Sequence, residues 1–92
     1  MRFPPDFLFG TANADHQVEA HDPACDDVWD EWERGQGLVR RGRGTDFVNR
    51  YEEDVRAAAA MGCRLFRFSV SWARVEPRDG GFDPAALDHY RE

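Results

Sequence analysis

Two short stretches hold residue types that can do chemistry. The first is Asp15-His16-Gln17-Val18-Glu19. The Gln17 amide offers both a donor and an acceptor, so it can bind two adjacent hydroxyls, as on a sugar, in a bidentate manner. A loop glutamine bonded to nearby backbone is the plainer account, and the residue alone favours it. The second is Arg67, inside the apolar stretch from Cys63 to Val70. If that stretch is a strand, Arg64, Phe66, Phe68 and Val70 share one face, and Cys63, Leu65, Arg67 and Ser69 share the other. The first set suits packing under helices. Arg67 then points the opposite way, where a charge is costly unless paired. Near the C-terminal end of a barrel strand it would face an active site. An arginine on a solvent rim or in an ordinary ion pair fits the alternation equally well.

Other candidates are weaker. His16 and His21, with Asp15, Glu19 and Asp22 nearby, match no strong zinc spacing, so no metal is expected. Trp29, Trp32 and Trp72 have ring faces broad enough to stack on sugars. For Trp29 and Trp32 a core position is the expectation. Asp26, Asp27, Asp30, Glu31 and Glu33 are expected to form a solvated helix face rather than a catalytic pair.

The elements that must position these residues alternate in type. Phe7 to Ala12 is a continuous apolar run behind Pro4-Pro5, which suits a strand buried on both faces. Residues 13 to 25 are polar and expected to be irregular. Asp26 to Glu33 suits a short amphipathic helix. Gly35 to Gly44 carries four glycines and three arginines, the composition of a surface loop. Thr45 to Met61 is the clearest helix: Phe47, Tyr51, Val55 and Ala59 recur every fourth residue. Thr45 or Asp46 can cap its start, and Gly62 can end it in the left-handed conformation. A strand over 63–70 follows, and then a loop over 76–81. A second helix begins near Asp83, with Pro84 at its first position and Ala86, Leu87 and Tyr90 on its buried side. Strand, helix, strand, helix points to a parallel sheet or barrel. Two parallel strands alone leave both edges open, so further partners are expected.

Composition excludes several functions. The 92 residues suffice for at most one small domain. The formal charge is −6, from 18 acids against 12 bases, all of the bases arginine. Phosphate binding needs clustered positive charge, so nucleic acid is not an expected partner. No apolar run is long enough to span a bilayer, and the N-terminus lacks the apolar core of a signal peptide. Cys25 and Cys63 show no metal-ligand spacing and are expected to be reduced thiols of a cytoplasmic protein.

The sequence resembles family 1 of the glycoside hydrolases, the β-glucosidase group. Phe7-Leu8-Phe9-Gly10-Thr11-Ala12, followed by His16-Gln17-Val18-Glu19, is similar to the family's first strand and glutamine motif. Tyr51-Glu52-Glu53-Asp54-Val55, running to Met61-Gly62, is similar to the helix before the second strand. Phe66-Arg67-Phe68-Ser69-Val70-Ser71-Trp72-Ala73-Arg74-Val75, then Pro77, is similar to the second strand and the loop after it. Phe82-Asp83 through Leu87 and Tyr90-Arg91 fits the next helix. Ala20 stands where glycine is usual, and Asn49 where many members have histidine.

The resemblance implies an α/β fold: the first two β/α units of a (β/α)8 barrel, which takes about 250 residues to close. Residues 1–92 would be the N-terminal segment of one catalytic domain, incomplete at its C-terminus. The implied activity is hydrolysis of β-linked glycosides with retention of configuration, by two carboxyl groups about 5 Å apart. In the family those glutamates sit in Asn-Glu-Pro and Glu-Asn-Gly type motifs, and neither occurs in this sequence. Gln17 matches the glutamine that hydrogen-bonds the non-reducing sugar. Arg67 matches the arginine beside the nucleophilic carboxylate, where a cation favours the ionised form. Glu19 matches a motif position and is expected to be structural. No cofactor is implied; the implied partner is a small-molecule β-glycoside or oligosaccharide. The alternatives are a non-catalytic sugar-binding or interaction module built on the same fold, and a barrel glycosidase of another family.

Overall fold

The computed structural model describes residues 1–92. Its elements are β1 (Gly10–Ala12), α1 (Asp15–Val18), α2 (Val28–Gln36), α3 (Phe47–Ala60), β2 (Leu65–Arg67), α4 (Trp72–Val75) and α5 (Pro84–Arg91). The two strands pair in parallel, with Gly10 beside Leu65, Thr11 beside Phe66 and Ala12 beside Arg67. Arg64 N–H donates to the Phe9 carbonyl at 2.8 Å and Asn13 N–H to the Arg67 carbonyl at 3.0 Å, which extends the ladder at both ends. Gly10 is required by this pairing, because a β-carbon there would stand 2.4 Å from the Leu65 carbonyl oxygen.

The alternation expected over 63–70 holds across Leu65–Arg67, while Phe68 and Val70 beyond it are exposed. Thr11 and Phe66 are half-buried while their neighbours are exposed. The Phe66 ring stacks on Phe47 of α3, with centroids 6.0 Å apart and planes 10° from parallel. That face therefore turns to the helices, and Leu65 and Arg67 turn to the opposite, open face.

The strands are shorter than the apolar runs of Phe7–Ala12 and Cys63–Val70 predict. A strand ends where its partner's backbone does, and each has only the other to pair with. Phe7, Leu8 and Phe9 are accordingly exposed rather than buried. Phe3, Phe7 and Phe9 cover one another instead, with ring centroids 4.5 to 5.0 Å apart.

The helices also correct the expectations in part. In α3 the face against the sheet runs through Phe47, Tyr51, Asp54 and Ala58, not through Val55 and Ala59. A spacing of four overshoots a full turn by about 40° per step, so a strict i+4 series rotates off the packed face. Asp46 does not cap α3 with its side chain. It sits in the left-handed region at φ 57°, and its carboxylate accepts from Arg43 and Asn49, each at 2.8 Å. Gly62 ends the helix at φ 87°, as expected. Asp83 caps α5 by accepting from Ala85 N–H at 2.9 Å, with Pro84 behind it. Of its expected buried side, Ala86 and Tyr90 are half-buried and Leu87 is exposed.

Only seven of the 92 residues are buried: Phe47, Ala58 and Val75, with Glu19, Asp30, Asp46 and Ser71. The apolar core is thus three residues, and the polar interior is larger. Trp29 and Trp32, expected in the core, are 56% and 51% exposed and stack edge-to-face on each other at 6.1 Å. No element of this chain lies over them. No helix is long and apolar enough to cross a membrane.

Candidate sugar site

The site is built on α1, the single helical turn that occupies part of the stretch expected to be irregular. Four residues are too few to show a helical period. The turn is held by its surroundings, and four of the five residues from Asp15 to Glu19 are anchored.

Asp15 anchors the start. Its N–H donates to Ser69 Oγ at 2.8 Å, and Ser69 O–H donates back to Asp15 Oδ1 at 2.7 Å. Ser69 lies two residues beyond Arg67, so α1 is fastened to the C-terminal end of β2. His16 reaches sideways to α2: Nδ1 lies 3.2 Å from Asp27 Oδ2 and Nε2 lies 2.8 Å from Glu33 Oε1. Val18 anchors the end through its carbonyl, which accepts from Thr45 N–H at 3.1 Å. Gly44, at φ 53°, allows that approach; a β-carbon on it would stand 3.0 Å from the Val18 oxygen and 3.1 Å from the Gln17 oxygen.

Glu19, 1% exposed, is the deepest anchor. It accepts from Arg74 Nε at 3.0 Å and from the Tyr90 hydroxyl at 2.8 and 3.0 Å. The Tyr90 oxygen in turn accepts from Ser71 N–H at 3.2 Å. One carboxylate thus joins the loop after β1, α4 and α5, which bears out its structural assignment. Burial pushes the Glu19 carboxyl above its ordinary value, against the pull of Tyr90 and Arg74. Burial and the bond to Glu19 push the Tyr90 phenol up, so it stays protonated as the donor.

Gln17 alone among these five residues is exposed, and its side chain makes no hydrogen bond within the chain. The backbone-bonded account of its amide is therefore not the one the fold adopts. Arg67 is also exposed and takes part in no ion pair. Both lie at the C-terminal end of the parallel pair, Arg67 as the last residue of β2 and Gln17 just beyond β1. No hydrogen bond joins them.

The acidic cluster is a solvated face only at Asp26 and Glu31, which are exposed. Asp27 and Asp30 close a capping box at the start of α2, each accepting from the other's backbone N–H, at 2.9 and 3.0 Å. Asp30 is 0% exposed and accepts from Arg41 at 2.9 Å. Hydrogen bonds from His21 and Arg34 hold the Asp26 carboxyl down to about 2. Sequence reasoning missed this because Arg41 comes from the glycine-rich loop, eleven residues away, with no local spacing to mark it. His16, Asp30 and Glu33, and likewise His21, Asp26 and Asp30, lie close enough to surround a cation. Yet Asp26, Asp27, Asp30 and Glu33 already face three guanidiniums, those of Arg34, Arg40 and Arg41, and the His16 ring. These carboxylates are thus engaged by cationic side chains of the chain itself.

α4 and its buried Val75 are not among the expected elements, and the loop expected over 76–81 follows it. Arg74 and Tyr90 appeared in the sequence only as a motif residue and a helix-face residue. Their meeting at Glu19 bridges 55 and 71 residues, which no local spacing announces. Cys25 and Cys63 are free.

Residues 1–92 match the family profile described as Glycosyl hydrolase family 1. The chain belongs to that family. Its relatives include thermostable beta-glucosidase B of Thermobispora bispora, 38% identical over 98% of this chain and 20% of the relative. Among solved structures, the β-glycosidase BGL167 superposes with a TM-score of 0.86 at 42% identity, covering 97% of this chain and 22% of that one. A beta-glucosidase from Thermotoga maritima in complex with castanospermine superposes at 0.79 and 34% identity, over 97% of this chain and 22% of its own. The chain thus spans about a fifth of the length of the family-1 proteins it matches.

Proposed function

We propose that this chain supplies the first two β/α units of a (β/α)8 barrel, and that the whole protein is a retaining β-glycosidase. Gln17 is the residue that binds hydroxyls of the non-reducing sugar, and Arg67 stands beside the nucleophilic carboxylate. The observation that carries this reading is the seating of Gln17. Its neighbours on both sides are tied down, its own amide is free, and it opens at the strand end where Arg67 also stands. An amide held this way meets a sugar without first losing a competing bond, and little mobility is left to lose on binding. The two glutamates, which take the roles of nucleophile and acid/base, come from motifs outside these residues. The guanidinium favours the ionised nucleophile until it attacks.

Arg67→Met in the intact enzyme tests the chemistry. The expected result is a large loss of kcat with little change in KM; an unchanged kcat with only a raised KM overturns the role. A second reading, a sugar-binding module without hydrolysis, is favoured by the fact that every anchor of Gln17 lies within this chain. A glycoside titration of the isolated chain separates the two. Binding that vanishes in Gln17→Ala supports the module.

A further inference from the structure

We propose that His16, held as an imidazolium between Asp27 and Glu33, is the positioning residue that seats Gln17, so that sugar binding weakens when His16 loses its proton. The inference rests on the reading of Gln17 as the sugar-binding amide.

Both ring nitrogens of His16 face carboxylate oxygens, at 3.2 and 2.8 Å. An ionised carboxylate only accepts, and a neutral imidazole donates from one nitrogen alone. A neutral ring would point a lone pair at one of the two acids. The imidazolium donates to both. Asp27 cannot turn away, because its other oxygen already accepts from Trp29 N–H at 2.8 Å and Asp30 N–H at 2.9 Å. The ring is thus bolted to the capped end of α2 and to Glu33 two turns further on.

The charged groups facing His16 are Asp27 at the cap of α2, Asp30 and Glu33 within it, and Arg41 from the following loop. Acids outnumber the single guanidinium. Glu33 Oε2 and Asp30 Oδ1 are buried without hydrogen-bond partners, which adds to the negative field. Burial alone would lower the pKa of His16; the bonds to Glu33 and Asp27 outweigh it and raise the value above the ordinary one. His21, the other histidine here, contacts Asp26, Asp30 and Arg40.

Among the anchors of residues 15–19, only His16 has an ordinary titration near neutral pH. Its folded-state value is raised, so its contribution is complete below the ordinary histidine value. It is lost as pH rises through the raised one. The change falls on the residue directly before Gln17, within a single turn of helix.

The test uses the intact protein with ring-labelled histidine, and methyl β-D-glucopyranoside as the probe. His16 should titrate above an ordinary histidine and show both ring nitrogens protonated at neutral pH. Between about pH 6 and about pH 9 the glycoside affinity should fall on the order of fivefold. His16→Arg, which keeps the charge, should make affinity flat over that range, and His16→Gln should bind weakly throughout. The proposal is overturned if His16 titrates at or below the ordinary value, or if the affinity of His16→Arg falls as the wild type's does. A protein that binds no glycoside at any pH contradicts the sugar reading alone. The clamp is then judged by amide protection factors at Gln17 and Val18. These should drop as His16 deprotonates, and unchanged protection overturns it.

Discussion

The two sides of this chain are finished to different degrees. On one side, α1, α2 and the loop to Gly44 close on themselves through ions: Asp30 meets Arg41, His16 meets Asp27 and Glu33, and Asp26 meets Arg34. On the other, α3, β2 and α5 frame an open groove of about 800 Å³ lined by Phe47, Tyr51, Val55, Phe66, Phe68 and Tyr90. The polar side is closed further because directional bonds need only their partner atoms, and the ion pairs just named draw all of theirs from residues 15 to 46. The apolar side is incomplete because burial scales with covered area, and covering a sheet takes whole elements. The sugar-site candidate Gln17 belongs to the finished side. Arg67, on the open face of β2, belongs to neither.

Three substitutions probe this difference, in descending order of expected effect. Arg41→Ala leaves the Asp30 carboxylate buried without its cation, which costs roughly 3–5 kcal/mol when a buried pair is broken. Denaturant melts, with amide exchange across α2, should show that side opening; a shift within experimental scatter would mean that the ions do not hold it. Gly44→Ala places a methyl against the Val18 and Gln17 carbonyls at a left-handed backbone position, a strain of about 1–2 kcal/mol. The loss should appear both in the melt and as weaker amide protection of Val18. Val55→Ser, on the open side where Val55 is 40% exposed, should change the stability of the isolated chain by less than about 0.5 kcal/mol. A larger loss would show that the groove is already covered in solution.

Much of the fold was legible because its signals are local. Asp83-Pro84 marks the start of α5 and Gly62 the end of α3, each within a few residues of the event it causes. The alternation across Leu65, Phe66 and Arg67 correctly separated the helix-facing side from the open one. What escaped was set by distance along the chain. Asp30 looked like a surface acid because Arg41 is hidden in a loop of glycines, and Trp29 and Trp32 looked like core because ring size says nothing about what lies above. The α1 turn was missed for a related reason: its shape comes from Ser69, Gly44 and Arg74 and not from a periodicity of its own. Gln17 and Arg67 stand out by side-chain chemistry and strand alternation, with roles implied by motif resemblance, and the anchors that hold Gln17 still are visible only in three dimensions.

The contact between the 42–45 loop and the stretch from α1 to His21 is made largely by main chain: His21 N–H to the Gly42 carbonyl at 2.7 Å, and Thr45 N–H to the Val18 carbonyl at 3.1 Å. A contact written in backbone atoms does not depend on which side chains the loop carries, provided that Gly44 is kept. The exposed loop residues Leu38 and Val39 can therefore drift under mutation while the α1 turn keeps its place. Variation in this loop is separated from the hold on the turn that carries Gln17, which leaves this part of the surface free to evolve.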